Sequence, residues 1–240
     1  MAADVWLYGT IGDGWDDDAL TARRLVDELA DAGGDVTVHV NSGGGDVFEA
    51  VAMHAALRAH GGRVTASVEG LAASSASMLL TAADEVVVAP GSMLMVHDPW
   101  ACAQGGAGEL RAMAERLDKV RDQFATLYAA KTGSGTEEMA ALMAAETWMG
   151  AEEAVERGFA DRVDSAARVA AMAVAPRCLG AYAHAPAGVR AGRCEPPRTM
   201  GGSDATGPEA TAGEAPGGRA GAARGSLAVV AGRVRTMTRS

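Results

Sequence analysis

The sequence predicts an α/β fold followed by a stretch that cannot build a core of its own. Three observations carry this reading. Strand-like and helix-like patterns alternate between residues 5 and 98. Two of the strand-to-helix junctions are runs of Gly, Ser and Ala. Composition then changes near residue 164. Up to that point there are 11 Lys+Arg against 27 Asp+Glu, a net of −16; beyond it there are 10 against 4, a net of +6. Nine of the ten aromatic residues lie at or before Phe159, and six of the eight prolines lie after residue 165. Bulky apolar side chains make a core, and a Gly/Pro-rich stretch has too few. The expected organisation is one acidic domain over 1–164 and a disordered Gly/Ala/Pro/Arg-rich tail over 165–240.

Taken in order, residues 5–11 read as a strand and 13–15 as a turn. Asp16, Asp17 and Asp18 place negative charge where a helix N-terminus favours it. Leu20, Leu25, Val26 and Leu29 give that helix an apolar face, and Gly33-Gly34 stop it. Residues 36–40 alternate as a second strand. The Gly-rich loop Asn41-Ser42-Gly43-Gly44-Gly45-Asp46 then opens a helix to about Ala59. Residues 64–68 are a third strand, 70–77 a run of small residues leading into a helix, and 85–88 and 93–96 two short strands. After Gly105-Gly106 comes a long helix. Its apolar positions Leu110, Met113, Leu117, Val120, Phe124 and Leu127 are spaced 3, 4, 3, 4, 3. That is a narrow seam, which fits either packing on its own domain or a projecting helix that meets another subunit. Residues 136–145 and 151–157 are two further helices, with Gly158 ending the last.

Composition excludes several classes. The longest apolar runs fall far short of the roughly 20 residues of a membrane span. The first residues lack the basic and apolar regions of a secretory signal. Cys102, Cys178 and Cys194 are an odd number without metal-ligand spacing, which argues against a disulfide scaffold or zinc site and fits a reducing compartment. The acidity of the main domain disfavours nucleic acid as a direct ligand.

Three features could carry chemistry, each with a purely structural alternative. The loop around Gly44 is either a tight turn or a cradle of backbone N–H groups for an oxyanion. It lacks the Lys-Ser/Thr ending of a phosphate-binding loop. The run Gly70-Leu71-Ala72-Ala73-Ser74-Ser75-Ala76-Ser77 places serine at a helix N-terminus. There serine is a cap, or a nucleophile whose negative charge the helix end favours. His97 ends a strand just before Pro99, as a structural residue or as the base a serine nucleophile needs.

Together these segments resemble the ClpP-like serine peptidases, most closely the phage and prophage head maturation (prohead) proteases. The resemblance covers about residues 4–164. It rests on four blocks in the family's order: VNSGGGDVFEAVAMHAAL, VEGLAASSASMLLTAADEVV, MLMVHDPW and AETWMGAEEAVERGFAD. It implies a ClpP/crotonase-like fold of stacked β-α units with a long handle helix. By position it makes Ser74 the nucleophile and His97 the general base. Glu146 falls where bacterial ClpP carries the triad Asp, with Asp161 and Asp164 as fallbacks. The implied oxyanion donors are the N–H groups of Gly44 and Ser75. Gly43 stands where ClpP has Pro, a departure that loosens the loop.

The function implied is a serine endopeptidase, needing no metal or other cofactor, that cuts capsid, scaffold or portal proteins during head maturation. It would work in the bacterial cytoplasm or inside the prohead. A homo-oligomeric ring is expected, its handle formed by the 110–127 seam. Nothing in the chain encodes an ATPase or indicates a docking site for one. Competing readings are a scaffold or assembly subunit with a degraded triad, a crotonase-like acyl-CoA enzyme, and a Ser–Lys peptidase using Lys119 or Lys131.

Overall fold

A run of β-branched and apolar residues with short polar breaks builds the centre of the molecule. The computed structural model describes residues 2–12, 19–164 and 182–184. Strands β1 (Ala3–Tyr8), β2 (Val36–Ser42), β3 (Val64–Ala73), β4 (Glu85–Val88) and β7 (Arg162–Val163) lie side by side in that order, all parallel. Val5, Leu7, Val36, Val38, Val40, Val68 and Val88 are buried within one core. Helices α1 (Ala22–Ala32), α2 (Val47–Ala59) and α3 (Ser75–Leu79) are the connections, and α3 runs on into a 3₁₀ turn over Leu80–Ala82.

Helix α1 starts later than expected. Thr21 caps it, its Oγ1 accepting the Arg24 N–H, so Asp16, Asp17 and Asp18 are not in its first turn; they lie outside the described residues. Leu20 precedes the helix and is buried through a bridge to Ile11, whereas Val26 is exposed. The buried stripe is Leu25 and Leu29 alone, and Gly33 ends the helix in the left-handed conformation at φ 62°. Helix α2 starts where the loop reading put it. Asp46 Oδ1 accepts the N–H groups of Phe48 and Glu49, a cap worth about 1 kcal/mol.

The larger correction concerns residues 70–73. They are not a loop before a helix but the second half of β3. There β3 leaves β4 and pairs with β5 (Met93–Val96), Leu71 to Ala73 opposite Met93 to Met95. Small side chains looked like a loop in sequence, but they suit a strand buried on both faces. The sequence reading also omitted β6 (Thr147–Gly150), antiparallel to β5, and the short β7.

Helix α4 (Ala107–Thr132) has two characters. Phe124, Ala125 and Tyr128 are buried, while Leu110 is exposed and Met113 and Leu117 are only partly covered. Helices α5 (Thr136–Ala144) and α6 (Ala151–Glu156) flank β6. Among the described residues, no helix is long and apolar enough to cross a membrane. Cys178, Cys194 and nearly all of the 165–240 tail lie outside the described residues, but residues 182–184 are described and sit on the domain.

Candidate active site

The end of β3 and the end of β5 meet because these strands pair up to Ala73 and Met95. The Ser74 N–H extends the pairing by donating to the Met95 carbonyl at 2.9 Å. Ser74 then turns sharply into α3 with φ 57° and ψ −128°, a conformation that costs a non-glycine residue about 1–3 kcal/mol. The turn is over-determined. The Ser74 carbonyl accepts from the N–H groups of Ser77 and Met78 and from Ser77 Oγ. Ser77 Oγ in turn pairs with the buried Tyr128 hydroxyl of α4 at 2.8 Å. Burial pushes the Tyr128 phenol far above its ordinary range, so it stays neutral.

This turn brings Ser74 Oγ to 2.7 Å from Nε2 of His97, the residue after β5. Burial lowers the His97 pKa from its ordinary 6.5, and the Glu146 charge opposes that shift. The imidazole is therefore neutral, and able to accept a proton, across the physiological range.

Glu146 arrives by register. β5 and β6 pair antiparallel with Val96 opposite Thr147, so the residue after β5 faces the residue before β6. Its backbone, at φ 48°, is the only other non-glycine positive φ besides Ser74 among the described residues. Yet its carboxylate bonds to other groups. Oε1 accepts from the His184 N–H at 2.6 Å and from Trp148 Nε1 at 3.2 Å; Oε2 accepts from the Ala183 N–H at 2.8 Å. Burial would raise its pKa, but these bonds outweigh it and hold the carboxyl below the ordinary glutamate value. Among the described residues, none hydrogen-bonds His97 Nδ1. The structure thus brings Glu146 beside His97 without joining them.

The fallback acids are elsewhere. Asp161 accepts from Lys131 Nζ and the Val86 N–H, and Asp164 pairs with Arg162, both at the β4–β7 edge. That pairing also commits Lys131 away from Ser74.

The Gly-rich loop abuts the serine. A Cβ placed on Gly44, where φ is +89°, would fall 2.7 Å from the Ala73 carbonyl oxygen and 2.8 Å from Ser74 Cβ. Only glycine fits there. Ser75 Oγ links the two loops, accepting from the Gly45 N–H at 2.8 Å. The Ser75 N–H, first in α3, has no intrahelical acceptor. The Gly44 N–H instead donates to Ser42 Oγ at 3.1 Å.

Sequence reasoning missed one occupant. Tyr182 is buried with Leu71, Ala73 and Met95, against Met93 and Trp148. Its ring stands edge-on to His97 at 5.0 Å between centroids, and its hydroxyl donates to the Gly43 carbonyl at 2.8 Å. The one available signal was its isolation as the sole aromatic residue after Phe159. Asp98 Oδ1, beside the site, is buried without a partner among the described residues, and burial raises its carboxyl pKa. No group of three or more His, Cys, Asp or Glu among them could hold a metal ion.

A strained serine on a strand-to-helix turn, bonded to a buried neutral histidine, is the equipment of acyl-transfer hydrolases. The comparisons narrow that class. The Clp protease family model matches residues 2–167. The proteolytic subunit of the ATP-dependent Clp protease of Porphyromonas gingivalis is 30% identical over 165 residues, which cover 68% of this chain and 74% of that protein. Its counterpart in Bacteroides fragilis is 31% identical over 165 residues, covering 68% and 80%. The chain belongs to the Clp protease family of serine peptidases.

Proposed function

We infer that the protein is a serine endopeptidase in which Ser74 is the nucleophile, His97 the general base and Glu146 the acid that orients it. The observation that carries this is the 2.7 Å approach of Ser74 Oγ to His97 Nε2 at a strained turn. Ser74 Oγ attacks the peptide carbonyl carbon as His97 Nε2 takes its proton. The N–H groups of Gly44 and Ser75 stabilise the oxyanion. The C–N bond breaks as His97 returns the proton to the leaving amine. Water, deprotonated by His97, then hydrolyses the acyl-enzyme. Incubation with a fluorophosphonate probe tests this: Ser74 is labelled in the wild type, and no label enters Ser74→Ala.

The substrates proposed are capsid, scaffold or portal proteins of an immature phage head, cut without an ATPase. The resemblance of the four sequence blocks supports that choice. The relatives' names, ATP-dependent proteolytic subunits, favour instead a ring fed by an ATPase. Cleavage of an unfolded model protein by the isolated chain separates the two. A homo-oligomer is proposed through α4, whose seam residues Leu110, Met113 and Leu117 are left uncovered or half-covered by their own domain. Monomers in light scattering at micromolar concentration would count against it. Residues 1–164 are proposed as the peptidase domain and 165–240 as a separate tail segment. One observation favours the scaffold alternative, namely the missing bond between Glu146 and His97.

A further inference from the structure

Four contacts from three consecutive residues converge on the groups assigned to catalysis. The Tyr182 ring fills the apolar pocket of Leu71, Ala73, Met95 and Trp148, directly beside His97. The Tyr182 hydroxyl holds the Gly43 carbonyl, and the Ala183 and His184 N–H groups hold both oxygens of Glu146.

The consequence at Gly43 follows from peptide geometry. The Gly43 carbonyl and the Gly44 N–H belong to one planar unit and point in opposite directions. With the carbonyl turned to Tyr182, the N–H is turned to Ser42 Oγ, its observed acceptor. It therefore does not serve an oxyanion beside Ser74. Rotation of that peptide would swing the N–H round, and glycine on both sides permits it.

The consequence at Glu146 is similar. A carboxylate that already accepts from two backbone N–H groups and Trp148 Nε1 has three of its roughly four acceptor sites committed away from His97 Nδ1. Among the described residues no acceptor on Nδ1 then fixes the Nδ1–H tautomer that lets Nε2 act as a base.

We propose that residues 182–184 are a resident plug of the peptide-binding cleft, an intramolecular segment that occupies an aromatic subsite and holds the oxyanion loop and the acid in an idle arrangement. Activity requires its displacement, by a substrate segment that competes for the pocket or by removal of the segment. This rests on the assignment of Ser74, His97 and Glu146 above. The distinction is between a site that is incomplete and one that is occupied.

The test compares the full-length wild type with Tyr182→Ala and Tyr182→Phe, using two readouts. One is the rate of Ser74 labelling by a small fluorophosphonate. The other, independent of activity, is hydrogen exchange at the Ala183 and His184 amides. The wild type should protect both amides, and Tyr182→Ala should lose that protection and label about tenfold faster or more. Tyr182→Phe keeps the ring but frees the Gly43 carbonyl, so it should label at an intermediate rate. Free-peptide exchange at both amides in the wild type overturns the plug, whatever the activity. Protected amides with equal labelling of wild type and Tyr182→Ala also overturn it, because docking then restrains nothing. Protected amides with no labelling of any variant overturn the catalytic assignment itself, and inhibition with it.

Discussion

The two halves of the site are built to different standards. Between Ser74 and His97 everything is in place: paired strand ends, a buried support through Ser77 and Tyr128, and a 2.7 Å approach. Between His97 and Glu146 the backbone register is correct but the side chain bonds elsewhere. The first half is fixed by core packing, which is dense and slow to change. The second depends on surface hydrogen bonds, each worth only about 1 kcal/mol net and readily exchanged. On the proposed assignment, the acid can change partners without disturbing the nucleophile.

The largest expected effect breaks the stronger half. Ser74→Ala should lower peptidase kcat/KM by at least about 10⁴-fold with no loss of the folded state in circular dichroism. Glu146→Gln should cost less, about 10²-fold, because the resident arrangement leaves it off His97 much of the time. If that variant is as inactive as Ser74→Ala, the acid is engaged throughout and the contrast collapses.

A pH profile sharpens the same contrast. Burial lowers the His97 pKa, so the acid limb of kcat/KM should fall below 6.5. Removing the Glu146 charge takes away the opposing influence, so in Glu146→Gln the limb should move lower still. A limb that moves upward in Glu146→Gln would contradict the role given to the Glu146 charge, and a wild-type limb above 6.5 would contradict the burial argument. Tyr128→Phe should have the smallest effect. It removes the hydroxyl that pairs with Ser77 Oγ, costing about 1 kcal/mol, read as a Tm about 2–4 °C lower. Exchange at the Ala183 and His184 amides should be unchanged, since both donate to Glu146 in the second half.

Much of this was legible in the chain, and the misses have physical causes. The alternation of strands and helices predicted the α/β fold, and Asp46 and Gly33 marked their helix ends because caps are local chemistry. The run of small residues from Gly70 to Ala73 misled, because small side chains favour loops in isolation and tolerate strands buried on both faces. β6 was missed because four residues with one buried side chain carry no alternation to detect. Asp16, Asp17 and Asp18 suggested a helix start, but Thr21 supplied the cap. Ser74, His97 and Glu146 were reachable only through the resemblance of four ordered blocks, since each alone has a structural reading.

By itself, the sequence determined the class of fold and the change of composition near residue 164, and it offered the candidate chemistry through the resemblance of four ordered blocks. Fold class and composition depend on hydrophobic period and residue type, which are properties of neighbours along the chain. Only the tertiary structure decided that β3 switches partners from β4 to β5, carrying Ser74 to His97. Only it showed that β5–β6 register delivers Glu146, and that Tyr182, 36 positions further on, reaches the same cleft. Contacts between distant segments depend on register and on competition for hydrogen bonds, and neither is written in any local pattern.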